Sequence, residues 1–259
     1  MKHWSFHFPT TVHSGPGSLE RVHPWIEEKN VLLVTSQGML KRRTAEKLMR
    51  SSPSVRWLIM TAEPNPDIHA LDAKAGEFRD EQVEAIVGFG GGSALDSAKA
   101  MAVILGQDSS WSLVEYLQGR VRSIQRVLPL FCIPTTAGTG AEVTPFGTMW
   151  DKSARKKYSL ASPLLYPKAV FLEPELTLSL PALETLVGGL DTLSHALETL
   201  WGTRANPASL VLARESLRMA IDWLPRVLED GASLEARTGM QAASMIAGMA
   251  LSQSRTAVA

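Results

Sequence analysis

Two stretches of this sequence carry residue types whose spacing suits chemistry. The first is Gly188-Gly189-Leu190-Asp191-Thr192-Leu193-Ser194-His195-Ala196-Leu197-Glu198. Asp191 and His195 are four residues apart, which on a helix puts both side chains on one face with Cβ atoms ~6 Å apart. A carboxylate and an imidazole so placed can supply two ligands to one divalent metal ion. The same pair also suits a plain Asp–His hydrogen bond or a solvated helix face, and two ligands do not make a metal site. Gly188 and Gly189 point toward function. Each lowers helix stability by about 1 kcal/mol relative to Ala, so they imply close packing or close approach of a ligand.

The second stretch runs from Val87 to Lys99 and reads V-G-F-G-G-G-S-A-L-D-S-A-K. An apolar run ending at Phe89 reads as a short buried strand. Gly90, Gly91 and Gly92 follow, and Ser93 is expected as a helix N-cap with Asp96 in the first turn. Strand, glycine turn and helix start together present backbone N–H groups and the positive end of a helix dipole to an anion. Without Cβ atoms, the three glycines allow a diphosphate close to the main chain. A tight βα turn that binds nothing uses the same residues.

These residues need a scaffold. Buried strands are expected at 31–34, 55–60, 85–89, 127–133 and 169–172, with an edge strand or hairpin in 4–14. Helices are expected over 39–50, from Asp67 to about residue 80, and after Ser93, with an irregular or short helical insert at 108–126. This β-α alternation is that of a parallel sheet with helices on its faces, a Rossmann-like doubly wound domain. A second polar loop, Thr135-Thr136-Ala137-Gly138-Thr139-Gly140-Ala141-Glu142, falls at the carboxyl end of a strand, where such sheets bind ligands. A hairpin is expected around Asp151-Lys152-Ser153. Beyond Pro174 the pattern becomes helical, with helices near 181–202, 207–228 and 233–251. The organisation is therefore an α/β domain over 1–178 and a helical domain over 179–259.

The 26 basic and 26 acidic residues balance to zero formal charge, so nothing suggests a nucleic-acid partner. The single Cys132 cannot form an internal disulfide and lies in an apolar run, so it reads as core in a reducing compartment. No apolar stretch is long enough to span a bilayer, and Met1-Lys2-His3-Trp4 lacks a signal-peptide core. A cytoplasmic protein without membrane contact is expected. His3, His7, His13, His23 and His69 pair with no carboxylate or cysteine at ligand spacing and read as structural or solvated.

Four motifs occur in order: Gly-Pro-Gly at 15–17, G-G-G-S-x-x-D-x-A-K at 90–99, P-T-T-A-G-T-G-x-E-V-T at 134–144, and G-L-D-x-x-x-H-A-x-E at 189–198. In this combination the chain resembles the iron-containing (group III) alcohol dehydrogenase family along essentially its whole length. The resemblance implies a Rossmann-like domain for NAD or NADP and an all-α metal-binding domain, the dehydroquinate synthase-like architecture, meeting at a cleft. It implies that Gly90, Gly91, Gly92 and Ser93, with Asp96, hold the pyrophosphate end of the cofactor. Thr135, Thr136 and Thr139 would line its phosphate and ribose, and Lys157 would reach the nicotinamide side. Asp191 and His195 would be the first two ligands of Fe2+, or Zn2+, acting on the substrate oxygen. A homodimer acting on a small alcohol or aldehyde is the family expectation.

The sequence departs from the family pattern in three places. The family has two further histidine ligands, and the third is expected just beyond Ala259. The helical domain is therefore expected to be incomplete and metal binding by this chain alone weak or absent. Ser36 stands where the family often has an aspartate facing the adenosine ribose; it would not repel a 2′-phosphate, which keeps NADP open beside NAD. Ala141 replaces a common serine. Lys157-Tyr158-Ser159-Leu160-Ala161-Ser162-Pro163 and Asn206-Pro207 resemble the branch that reduces phosphonoacetaldehyde, with Arg155, Lys156 or Lys157 serving an anionic head group or forming only a basic surface hairpin. Two other readings remain: a dehydroquinate-synthase-like lyase, and a non-catalytic nucleotide-binding fragment.

Overall fold

The computed structural model describes residues 3–121 and 123–255 of the chain. The expectations tied to Met1, Lys2 and Ala259 lie outside the described residues. Six parallel strands form the central sheet: β1 (Thr11–Ser14), β2 (Asn30–Ser36), β3 (Arg56–Ala62), β4 (Ala85–Gly90), β5 (Leu130–Pro134) and, at Ala169–Leu172, β8. They lie in the order β1-β8-β5-β4-β2-β3. Strands β4, β5 and β8 are buried at every position, as expected where helices cover both faces of a parallel sheet. Alternate side chains of β2 divide between the two faces. Leu32 and Val34 join one core cluster, and Val31 and Leu33 join the other.

Of the helices, α1 (His23–Ile26), α2 (Gln37–Lys41) and α3 (Thr44–Arg50) precede β3, α4 (Ile68–Gly76) precedes β4, and α5 (Gly92–Ile104) and α6 (Leu113–Leu117) lie between β4 and β5. The helix expected over 39–50 is two pieces, because Arg43 between them takes a left-handed φ of 57°. The strand expected from 127 begins at 130. A separate antiparallel pair, β6 (Phe146–Asp151) and β7 (Lys156–Ala161), pairs Trp150 with Lys157. Trp150 N donates to Pro66 O at 2.8 Å and Lys152 N to Asp67 Oδ2 at 3.0 Å, which ties the hairpin to the loop at 64–67.

Three long helices follow: α7 (Ala182–Trp201), α8 (Pro207–Glu229) and α9 (Leu234–Ser254). Asn206 closes the N-terminus of α8 with a capping box to Ser209. Arg237 of α9 is buried, and its guanidinium donates to Thr185 Oγ1, Gly231 O and Leu180 O, binding α9 to the start of α7. No described helix is long and apolar enough to cross a membrane.

Candidate functional site

The glycine turn sits at the carboxyl end of β4, and α5 leaves from it. The cap position is Gly91, two residues ahead of the expected Ser93, and α5 begins without a side-chain cap. Its opening N–H groups therefore have no side-chain acceptor, the arrangement an anion completes. Ser93 lies inside the first turn, where its hydroxyl accepts from Asn65 N at 3.3 Å. A side chain carrying an N-cap oxygen is not needed where a bound anion occupies that role.

The second loop leaves the carboxyl end of the neighbouring strand β5, and Thr135 N donates to Gly90 O at 3.0 Å. The two loops touch. A Cβ on Gly91 would meet Thr136 Cγ2 at 3.3 Å, and one on Gly92 would meet Thr139 Cγ2 at 2.9 Å. Thr139 is exposed and Thr136 half-buried, so their hydroxyls border the open side of the turn. The uncapped start of α5 and the threonines of the second loop thus lie side by side, an arrangement that offers backbone N–H and hydroxyl groups to an anion. Ser36, at the carboxyl end of β2, lies beside it: its backbone N is 3.9 Å from where a Cβ on Gly90 would stand.

The helix bearing the Asp–His pair is pressed against that same second loop. A Cβ on Gly188 would overlap the carbonyl oxygen of Ala137, and one on Gly138 would lie 2.7 Å from Gly188 Cα. Thr192 Oγ1 donates to Gly188 O at 3.1 Å and lies 3.5 Å from Gly138 O. Gly138 and Gly188 thus make a backbone-to-backbone contact that brings α7 against the second loop. Next to it, Asp191 Oδ1 stands 3.4 Å from His195 Nε2, and the other ring nitrogen, Nδ1, is buried with no described partner. Among the described residues no group of three His, Cys, Asp or Glu side chains converges on a metal position. Two donors leave a divalent ion's coordination incomplete.

Asp96 does not lie in the first turn of α5. Its Oδ2 accepts from Thr148 N at 2.9 Å and its Oδ1 is 3.8 Å from Lys99 Nζ. Asp96 holds the hairpin that carries Lys157. Lys157 itself is exposed, with Nζ over the ring of its cross-strand partner Trp150 at 5.8 Å.

Beneath the hairpin is a buried polar cluster that the motif reading left without a role. Lys99 is completely buried, and its ammonium donates to Thr144 Oγ1 and Phe146 O. Burial lowers its pKa, and Asp96 opposes that shift. Glu142 is 3% exposed, and burial pushes its carboxyl up to about 7. Cys132 is core, its thiol raised to about 12 by burial, and so no nucleophile. The signal for this cluster was a lysine inside A-K-A-M-A-V-I-L and a glutamate between Ala141 and Val143. Two other histidines do meet carboxylates: His23 faces Glu27 at 3.6 Å, at an i,i+4 spacing the sequence shows, and His69 faces Asp151 at 3.7 Å across the fold.

Residues 9–174 match the iron-containing alcohol dehydrogenase family, and residues 185–259 match that family's C-terminal region. The chain belongs to the iron-containing alcohol dehydrogenase family. It is 32% identical over 255 residues to choline dehydrogenase of Bacillus subtilis, and 32% identical over 251 residues to 1-propanol dehydrogenase PduQ of Salmonella typhimurium. Those alignments cover 96% of this chain in each case, and 63% and 64% of the relatives. The chain thus spans less than two thirds of the length of these curated relatives. Sulfoacetaldehyde reductase from Bifidobacterium kashiwanohense, solved in complex with NAD+, superposes with a TM-score of 0.93 at 31% identity, covering 99% of this chain and 69% of that one. The family's fold is therefore present here: parallel sheet first, helical region after it.

Proposed function

We propose that this chain takes part in NAD- or NADP-dependent oxidation and reduction between a small alcohol and its aldehyde. In this reading residues 1–178 hold the dinucleotide and 179–259 contribute metal ligands. The observation that carries the reading is the joint contact of three pieces: the uncapped start of α5, the threonines of the second loop, and α7 with Asp191 and His195 docked on that loop through Gly188. Gly90, Gly91, Gly92 and Ser93 would bind the diphosphate through backbone N–H groups. Thr135, Thr136 and Thr139 would orient the riboses, Ser36 would face the adenosine ribose, and Lys157 would border the nicotinamide side. Asp191 and His195 would be two ligands of Fe2+ or Zn2+. With its coordination completed by further donors, such an ion would supply Lewis-acid chemistry to a substrate oxygen.

An anionic two-carbon aldehyde such as phosphonoacetaldehyde is our specific candidate. It is supported by the basic Arg155, Lys156 and Lys157 on the hairpin, and by the similarity to a reductase of sulfoacetaldehyde, another small anionic aldehyde. A cytoplasmic homodimer is the assembly we propose. The test follows absorbance at 340 nm with ferrous or zinc ion and a panel of neutral and anionic aldehydes. Net oxidation of reduced cofactor, greatest with the anionic aldehydes, supports the reading. Product formed without net cofactor change would favour a dehydroquinate-synthase-like lyase. Cofactor binding without any metal-dependent rate would favour a nucleotide-binding fragment.

A further inference from the structure

We propose that Asp96 and Lys99, on one face of α5, are positioning residues: together they fix where Lys157 stands relative to the glycine turn, and so set how much the nicotinamide half adds to dinucleotide binding. This rests on the dinucleotide reading above. Because α5 starts at the glycine turn, a side chain on its second turn is held at a fixed distance from the opening N–H groups. Asp96 Oδ2 accepts from Thr148 N at 2.9 Å, and Lys99 Nζ donates to Phe146 O and, at 3.0 Å, to Thr144 Oγ1. The two side chains thus grip residues 146 and 148, the base of β6. Gly147, between those residues, passes so close that a Cβ on it would lie 2.9 Å from Asp96 Oδ1. Antiparallel pairing carries that register to β7, with Thr148 opposite Ser159 and Trp150 opposite Lys157.

The far end of the hairpin is tied separately, by Trp150 N to Pro66 O and Lys152 N to Asp67 Oδ2. Those bonds and the β6–β7 ladder keep the hairpin folded; the grip from α5 sets its place against the helix. Thr144 Oγ1 also donates to Ala141 O at 3.3 Å, so the Lys99 ammonium joins the exit of the second loop to the hairpin. Charge links the same residues. Asp96 Oδ1 is 3.8 Å from Lys99 Nζ. Burial pushes the Asp96 carboxyl up, while Lys99, the Thr148 N–H and Lys157 favour its ionised form. Lys157, though exposed, is therefore within electrostatic reach of the helix carboxylate. Glu142 and Cys132 also face Lys99. Burying an ion pair is costly, and apolar residues of the same size often support a fold as well. Apolar residues cannot bond to chosen atoms of a neighbouring strand, as Asp96 and Lys99 do here.

The test is calorimetric titration of the whole chain with NADH and with ADP-ribose, which lacks the nicotinamide. The ratio of the two affinities reads what the nicotinamide half adds. The parent is expected to bind NADH more tightly. Lys99→Met and Asp96→Ala are each expected to lower the ratio by about tenfold while leaving ADP-ribose within about twofold. Asp96→Asn keeps an acceptor for Thr148 N and is expected to hold the ratio within about threefold of the parent. Adding Lys157→Met to Lys99→Met is expected to lower it no further, since the two residues act through one arrangement. Where Lys99→Met does not fold, Asp96→Ala against Asp96→Asn carries the test. Amide hydrogen exchange over residues 146–161, read without ligand, is expected to quicken in Lys99→Met and Asp96→Ala. Equal loss of both ligands means the pair only supports the fold and overturns the proposal, as does unchanged hairpin exchange. Binding of both ligands with an unchanged ratio in the variants removes this inference alone. Binding of neither ligand by the parent removes the dinucleotide reading and this inference with it.

Discussion

Glu142 shows how a single residue makes the stability of this fold depend on pH. Its carboxyl is buried and titrates at about 7, against an ordinary value of 4.5. A carboxyl whose folded pKa lies above its unfolded one favours the fold while both states are protonated. That contribution is complete below about pH 4.5 and is lost as pH rises through about 7. The loss on going from pH 5 to pH 8 is up to about 3 kcal/mol for a shift of this size. Glu142→Gln, which stays neutral, is expected to remove it. Urea denaturation of both proteins at the two pH values measures the difference, and parallel pH slopes in parent and variant would contradict it. The same buried cluster explains why Lys99 stays in the core. Its ammonium is held by Thr144, by the Phe146 carbonyl and by Asp96, so the hairpin is anchored to the helix that starts at the glycine turn.

At the scale of elements, the decisive joint is α7 against the second loop. Gly188→Ala would gain about 1 kcal/mol of helix propensity, but its new Cβ meets the Ala137 carbonyl, which is backbone and cannot rotate away. Overpacking of that kind costs about 1–3 kcal/mol, so a net loss of melting temperature is expected. Gly189→Ala first meets the Leu224 side chain, which can shift where backbone cannot, so a smaller loss is expected there. Thermal melts of the two variants give the order, and a Gly188→Ala protein as stable as its parent would contradict this account of the joint. The glycine pair was legible in the sequence as a place of close approach, since its helix-weakening effect needed a reason. What it approaches was not legible, because residues 137 and 188 meet only through the tertiary fold. Ser93 and Asp96 show the complementary limit. Their types fit an N-cap and a first-turn acid, but Gly91 takes the cap, Ser93 meets Asn65, and Asp96 meets Thr148 across the fold.

For the whole molecule, the parallel sheet and the three long helices were readable from apolar runs, glycine and proline positions, and 3.6-residue periodicity. The strand order was not, since nothing in β1 announces that it pairs with β8 rather than with its sequence neighbour. The order is what places the ends of β4 and β5 side by side and so brings two glycine-bearing loops, far apart in sequence, into contact. The helical region packs α7, which carries Asp191 and His195, against the second of those loops. On its outward face α7 exposes Leu183, Val187 and Leu190. The central claim is that one dinucleotide lies across both loops with its reactive ring toward α7. A crystal structure of the chain grown with saturating NADPH tests this most directly. The account predicts density for the diphosphate within hydrogen-bonding distance of the backbone N–H groups of Gly91, Gly92 and Ser93, and for the nicotinamide on the side of Asp191 and His195. Density for the dinucleotide on any other surface, or no bound dinucleotide at saturation, would contradict it.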